Sequence, residues 1–143
     1  PKASVKGCSV KVTKLTERTE YKAYVRAWMK VNGKKVYLGD SPEVHAITGG
    51  YNSRYCNAKS VKVDKSSVKM KVGATKKIKA SVKGVKSGRE VLAHEKQLRY
   101  YSSDRNVAIV SDTGRIKARG KGTCRIYVLA NNGVRTSIKI QVR

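Results

Sequence analysis

Residues 102 to 128, SSDRNVAIVSDTGRIKARGKGTCRIYV, hold paired serines, an aspartate, a Gly-Lys-Gly and a cysteine, types that elsewhere serve phosphate binding or nucleophilic catalysis. A Walker-type phosphate loop needs two glycines four residues apart, then Lys and Ser/Thr, between a strand and a helix, so that backbone N–H groups converge on phosphate. Here Gly114 and Gly120 are separated by five residues, and Gly122 follows Lys121. A serine or cysteine nucleophile needs a histidine within reach and a third group to orient it. The chain has two histidines, His45 and His94, and no G-x-S-x-G turn, so we expect both at the surface or on edge strands. Cys8, Cys56 and Cys124 form no CxxC motif, which argues against a metal centre and a dithiol couple, and an odd count cannot pair fully within one chain. We therefore expect no catalytic residue, no metal and no cofactor.

The elements that carry these residues read as strands. SVKMKV places Val68, Met70 and Val72 on one face and Lys69 and Lys71 on the other, and KIKASV repeats the pattern with Ile78, Ala80 and Val82. Further strands are expected at 8–12, 21–29, 35–38, 44–48, 60–63, 98–101, 108–110, 115–118, 124–130 and 136–142. Turn signals stand at Asn32-Gly33, Asp112-Thr113-Gly114 and Asn131-Asn132-Gly133. Short strands with turns every 8 to 12 residues predict an all-β sandwich. Ser87 to Leu98 breaks the pattern and reads as a loop. With no phenylalanine, the core must come from Val, Ile, Leu and Ala, eight tyrosines and Trp28. Cys124, Ile126 and Val128 share one parity, which makes Cys124 a small core residue, while Cys56, in an aperiodic segment, should react readily unless paired with Cys8.

The charge is +24, from 33 Lys and Arg against 9 Asp and Glu. It is uneven: 11 basic and 4 acidic residues up to Ala58 give +7, and 22 and 5 from Lys59 give +17. Such a field attracts polyanions of every kind. Outward parity nominates Lys69, Lys71, Lys77 and Lys79, on strands expected to be adjacent, with Lys83, Lys86 and Arg89 at the edge, as an anionic-ligand face. The bland alternative is a solvated face that discourages edge-to-edge pairing. A nucleic-acid function is disfavoured because the aromatic residues read as not interleaved with the basic ones and no recognition helix appears. No apolar stretch reaches 18 residues. A start at Pro1 rather than Met leads us to expect a longer parent chain.

From Lys59 onward, KSVKVDKSSVKMKVGATKKIKASV and then RYYSSDRNVAIVSDTGRIKARGKGTCRIYVLANNGVRTSIKIQV resemble the bacterial immunoglobulin-like domain, group 2. The pattern is paired serines with an acidic residue, a V-A-x-V strand, a turn glycine, an I-x-A strand, a G-x-G-T/C turn, a long strand and a final alternating strand. Gly114, Gly120 and Gly122 fall at its turns and Cys124 on its long strand; Tyr100 or Tyr101 replaces its usual tryptophan, and Ser87 to Leu98 resembles an insertion. VTKLTERTEYKAYVRAW and NGKKVYLGDSPEVHAIT resemble the last three strands of a fibronectin type III domain, with Leu15 and Tyr21 at its tyrosine corner and Trp28 late in the next strand. The expected organisation is a partial fibronectin type III-like β unit over 1–49, a linker over 50–58 and an immunoglobulin-like β-sandwich over 59–143. Both resemblances imply a non-enzymatic adhesive or spacer segment, extracellular or on the bacterial surface. The partners implied are host glycoprotein, cell-wall or anionic polysaccharide, and a second copy or complementing fragment for the partial unit. The alternative is a targeting module of a cell-wall or polysaccharide-degrading enzyme.

Overall fold

The computed structural model describes residues 4–5 and 7–143. In chain order the strands are β1 (Glu20–Ala23), β2 (Arg26–Val31), β3 (Lys34–Asp40), β4 (Val44–Ile47), β5 (Tyr55–Cys56), β6 (Ala58–Val63), β7 (Ser67–Met70) and β8 (Thr75–Lys77). They continue as β9 (Ala80–Gly84), β10 (Glu90–Val91), β11 (Arg99–Ser102), β12 (Ala108–Val110), β13 (Arg115–Ala118), β14 (Gly122–Leu129) and β15 (Arg135–Val142). One helical turn, α1 (Ala93–Lys96), lies between β10 and β11.

The second part of the chain is a sandwich. One layer is the four-stranded sheet β11-β14-β15-β7, in which β7 runs parallel to β15; facing it are β12-β13-β8 and the pair β6-β9. Alternation builds the core: Cys124, Ile126 and Val128 of β14 and Ile138, Ile140 and Val142 of β15 turn inward onto Val61, Ile78, Ala108, Ile116 and Ala118. Ile116, Ile126, Ile138 and Ile140 are fully buried, so β-branched side chains fill the interior where no phenylalanine exists. Gly114, at φ +77°, closes the turn before β13, and Gly122 enters β14 at φ +145° with the Val107 side chain 2.9 Å from where a Cβ would stand. Gly120 packs as tightly, with the Asn106 carbonyl 2.9 Å from its Cβ position.

Residues 20–47 form a ribbon instead. β1 pairs with β4 and β2 with β3, each antiparallel and with no third strand among the described residues. The expected single strand over 21–29 is broken at Tyr24 and Val25, where Ser41 takes both backbone groups: its Oγ accepts the Val25 N–H at 2.9 Å and its own N–H donates to the Val25 carbonyl at 2.8 Å. Every residue of β2 and β3 is exposed, including Met29, Val31, Val36 and Leu38, so the apolar face of this ribbon lies open.

Three further expectations are corrected. Residues 8–12 alternate but find no partner strand and stay exposed, since parity without a neighbour to bond makes no sheet. KIKASV is not one strand: β8 pairs with β13 and β9 with β6, and the chain changes sheet at Ile78 and Lys79, held by Ile78 N–H to the Gly114 carbonyl and Asp64 N–H to the Lys79 carbonyl. Ser87 to Leu98 is not a bare loop, because β10 pairs in parallel with β5 and α1 follows.

Candidate functional site

The strand register sets out one basic face. On the outer side of the four-stranded sheet, Tyr101 stands opposite Tyr127, and their rings stack at 4.9 Å between centroids. Arg135 lies over the Tyr127 ring at 5.8 Å, and Arg125 stands opposite Lys139 and donates to Ser137 Oγ at 3.2 Å. Ser67 stands opposite Lys139 and Lys69 opposite Gln141, and the same parity sets Thr123, Leu129 and Arg99 in these rows. No carboxylate occupies any of these positions, and among the described residues no ion pair engages Lys69, Arg125, Arg135 or Lys139. Beside Lys69 the chain end forms a shallow depression lined by Gly122, Thr123, Gln141, Val142 and Arg143.

The residues nominated from parity are all exposed, but of them this face carries Lys69 alone. Lys69 is on β7, next to β15; Lys71 lies past the end of β7; Lys77 is on β8 opposite Arg115, in the other layer. Lys79 sits at the change of sheet, Lys83 on β9 opposite Ser60, and Lys86 and Arg89 in the turn beyond β9. The expectation of adjacent strands fails because β7 bonds to β15 and β8 to β13. Arg125, Arg135 and Lys139, which complete the face around Lys69, were missed; their outward parity on the two longest strands was the available signal.

The paired serines work as strand-exit fasteners. Ser102 Oγ donates to the Asp104 carbonyl at 2.9 Å and accepts the Asp104 N–H at 3.2 Å; Ser103 Oγ accepts the Arg125 N–H at 2.9 Å; Asp104 Oδ1 accepts the Asn106 N–H at 2.8 Å. Cys124 is buried, and that burial raises its thiol pKa, the condition of an inert cysteine. Cys56 is buried too, against the expectation of a reactive linker thiol: β5 seats it in the sandwich core, and Asn57 and Asn52 stitch the segment around it. Among the described residues the exposed thiol is Cys8.

The junction between ribbon and sandwich holds a cluster not anticipated from the sequence. His45 and His94 stack with centroids 4.8 Å apart, His45 Nδ1 lies 3.4 Å from Glu20 Oε1, and the fully buried Glu95 carboxylate accepts the Ala58 N–H. Desolvation raises the Glu95 pKa, opposed by that hydrogen bond. Asn57 ties the two parts together, accepting the Ile47 N–H at 2.7 Å and donating to the Ile47 carbonyl at 2.8 Å. In the ribbon Tyr21 Oη accepts the Thr16 N–H at 2.9 Å, with Leu15 half-buried beside the turn.

Aromatic and basic residues are in fact interleaved on the ribbon. Lys35 Nζ lies 4.2 Å from the Trp28 ring centroid and 5.3 Å from that of Tyr37, and the Arg26 guanidinium lies 5.2 Å from Tyr37 and 5.5 Å from Tyr24. This corrects the reading that the two residue kinds keep apart.

With this geometry in place, comparison with known proteins decides the family. The sequence model of the bacterial Ig-like domain (group 2) matches residues 57–140. The chain belongs to that family. No curated protein matches it. Among nine solved chains that match, an intimin mutant of EHEC O157:H7 is 18% identical with a TM-score of 0.45, over 58% of this chain and 46% of that one. The chain thus spans less than half of that structure, and a likeness at this level says nothing of ligand. Cys56 and Ala58 belong to the same buried cluster as the strands of the Ig-like domain. Among the described residues no helix is long and apolar enough to cross a membrane, which leaves strand-built spans open.

Proposed function

We propose that this chain is a non-enzymatic segment of a bacterial surface or secreted protein, in which the Ig-like domain spaces or displays a neighbour and grips anionic macromolecules through the outer face of its four-stranded sheet. The observation that carries the reading is the row of Lys69, Arg125, Lys139 and Arg135 around the Tyr101–Tyr127 stack, with no carboxylate among them. Fold alone assigns no ligand; uncompensated charge on a rigid sheet does bias the choice, because each cation that meets a sulfate or phosphate releases condensed counterions. Host glycosaminoglycan and wall teichoic acid share that chemistry. The dispersed Lys71, Lys77, Lys79, Lys83, Lys86 and Arg89 add to the general field and to solubility. We divide the chain at the turn-rich segment 50–58.

The test is heparin and teichoic acid binding against salt. Changing Lys69, Arg125, Arg135 and Lys139 together to Gln should remove most of the affinity and flatten the salt dependence, while stability moves by about 1 kcal/mol or less. Changing Lys71, Lys77, Lys79 and Lys83 removes the same charge from scattered positions and should cost clearly less. Equal losses from the two quadruple variants would mean that the field alone matters and that the sheet face is not a site. A targeting role for an enzyme outside this chain uses the same face and would show as preference for one wall polymer.

A further inference from the structure

We propose that the aromatic face of the β2–β3 ribbon is a separate binding platform for an acidic polysaccharide built of uronic-acid-type sugars. Cross-strand pairing puts Trp28 opposite Tyr37 and Lys30 opposite Lys35, and the cation–π contacts join Lys35 to both rings and Arg26 to Tyr37 and Tyr24. Residues two apart on a strand share a face, so Arg26, Trp28 and Lys30 line one side of β2, and the Arg26 guanidinium over its ring brings Tyr24, just ahead of the strand, beside them. These residues are partly exposed, Trp28 at 39%, Tyr24 at 51% and Tyr37 at 57%, with Lys35 and Arg26 lying over the rings. Three exposed aromatic rings on one side of two strands exceed what a ribbon needs for its own cohesion, since none of them packs into the core cluster.

The charges on this face select among polymers. Arg26 and Asp40 form a two-pronged pair, Nε to Oδ1 and Nη2 to Oδ2, both at 2.6 Å. That pair lowers the Asp40 pKa, first through the hydrogen bond from Arg26, and keeps the carboxylate ionised with lone pairs to spare. A fixed guanidinium beside a fixed carboxylate offers donors and acceptors together, which suits sugar hydroxyls, themselves both. Asp40 repels any anion alike, but a sugar hydroxyl can donate to its free lone pairs, whereas a DNA phosphodiester has no donor to offer it. Trp28 and Tyr37 supply flat faces for the apolar side of a sugar ring, and Lys30 and Lys35, with no carboxylate partner among the ion pairs of the described residues, are placed to take a sugar carboxylate. The platform differs from the sheet face in kind, because it mixes signs and aromatic rings where the sheet face is cationic throughout.

Trp28 is the sole tryptophan of the chain, so its emission reports this face and not the Ig-like domain. The full chain is titrated with polygalacturonate, with its methyl ester, and with single-stranded DNA of matched charge, at low and at 0.5 M salt, roughly one Debye length of 4 Å in the latter. We expect a saturable change in Trp28 emission with polygalacturonate that persists at high salt. Tyr37→Ala should weaken it about tenfold, whereas Tyr37→Phe, which keeps the ring, should retain it. Lys35→Ala should weaken polygalacturonate several-fold and leave the methyl ester unchanged. Polygalacturonate binding that leaves Trp28 emission unmoved, or that Tyr37→Ala and Lys35→Ala both leave intact, overturns the proposal. DNA that perturbs Trp28 as strongly at equal affinity also overturns it, in favour of a nucleic-acid face. Loss of heparin binding in the sheet-face variant leaves the Trp28 signal untouched, so the two sites fail independently.

Discussion

The ribbon and the Ig-like domain are built from the same alternating grammar, yet one hides its apolar side and the other does not. In β14 and β15, Cys124, Ile126, Val128, Ile138, Ile140 and Val142 are sealed against the opposite layer; in β2 and β3, Met29, Val31, Val36 and Leu38 also alternate and remain in water. Alternation therefore states which face would be buried, and a second layer decides whether it is. The ribbon keeps its form through turn and side-chain bonds, such as Ser41 on Val25, the Arg26–Asp40 pair and the cation–π ladder, while the sandwich keeps its form through area removed from water.

That contrast can be broken most directly by truncating one residue in each part. Ile126→Ala leaves a cavity in the fully buried core and should cost about 2 to 5 kcal/mol, read by thermal or denaturant unfolding. Leu38→Ala, at 62% exposure, should change stability by about 0.5 kcal/mol or less. Comparable costs would mean that the ribbon's apolar face is covered in solution, and native mass measurement would then show by what. At the seam, Gly84 is the sharper probe: a Cβ there would stand 2.5 Å from Cys56 Sγ and 3.0 Å from Val91 Cγ2, so Gly84→Ala should cost about 1 to 3 kcal/mol and expose Cys56 to alkylation.

A smaller effect separates the junction from both parts. Burial raises the Glu95 pKa above its unfolded value of about 4.3, so the folded state holds its proton more tightly. Stability from this group is then greatest below the unfolded pKa and falls as pH rises through the folded one. Glu95→Gln, which can still accept the Ala58 N–H, should raise the melting temperature at pH 7 and lose that advantage by about pH 4. A Gln variant less stable at pH 7 would show that the carboxylate has charged partners that outweigh its desolvation. The smallest change expected is Tyr21→Phe, which frees the Thr16 N–H to water at an exposed turn and should cost about 0.5 to 1 kcal/mol, detectable as faster amide exchange at Thr16.

Parity made the sandwich readable. β12 and β13 lie at 108–110 and 115–118 as the sequence predicts, because Ile116 and Ala118 are buried while Arg115 and Lys117 are not. Parity is blind to partners, however. The alternation of KIKASV runs unbroken across a change of sheet, so Lys77 and Lys79 read as neighbours of Lys69 when they are not. Residues 50–58 carry no period because their order comes from a local Asn52 turn, from Asn57 reaching back to Ile47 and from a parallel pairing with the distant β10, none of which leaves an alternating pattern. The ribbon's aromatic and basic residues read as keeping apart, although YVRAWMK alternates them; Lys35 and Tyr37 join them only through the hairpin pairing, which sequence parity does not give.

The parallel pairing of β7 with β15 bears on mechanics. Ser67 to Met70 run alongside Lys139 to Val142, and Arg143 N–H bonds the Met70 carbonyl at 3.0 Å just past the last pair. A pull delivered at the N-terminal end of β7 and the C-terminal end of β15 tries to slide two co-directional strands lengthwise. Their evenly spaced bonds are then strained together rather than opened one after another, as they would be at the end of a hairpin. The domain yields to such tension only when the whole ladder shears, so a chain of such modules would stretch first at its joints.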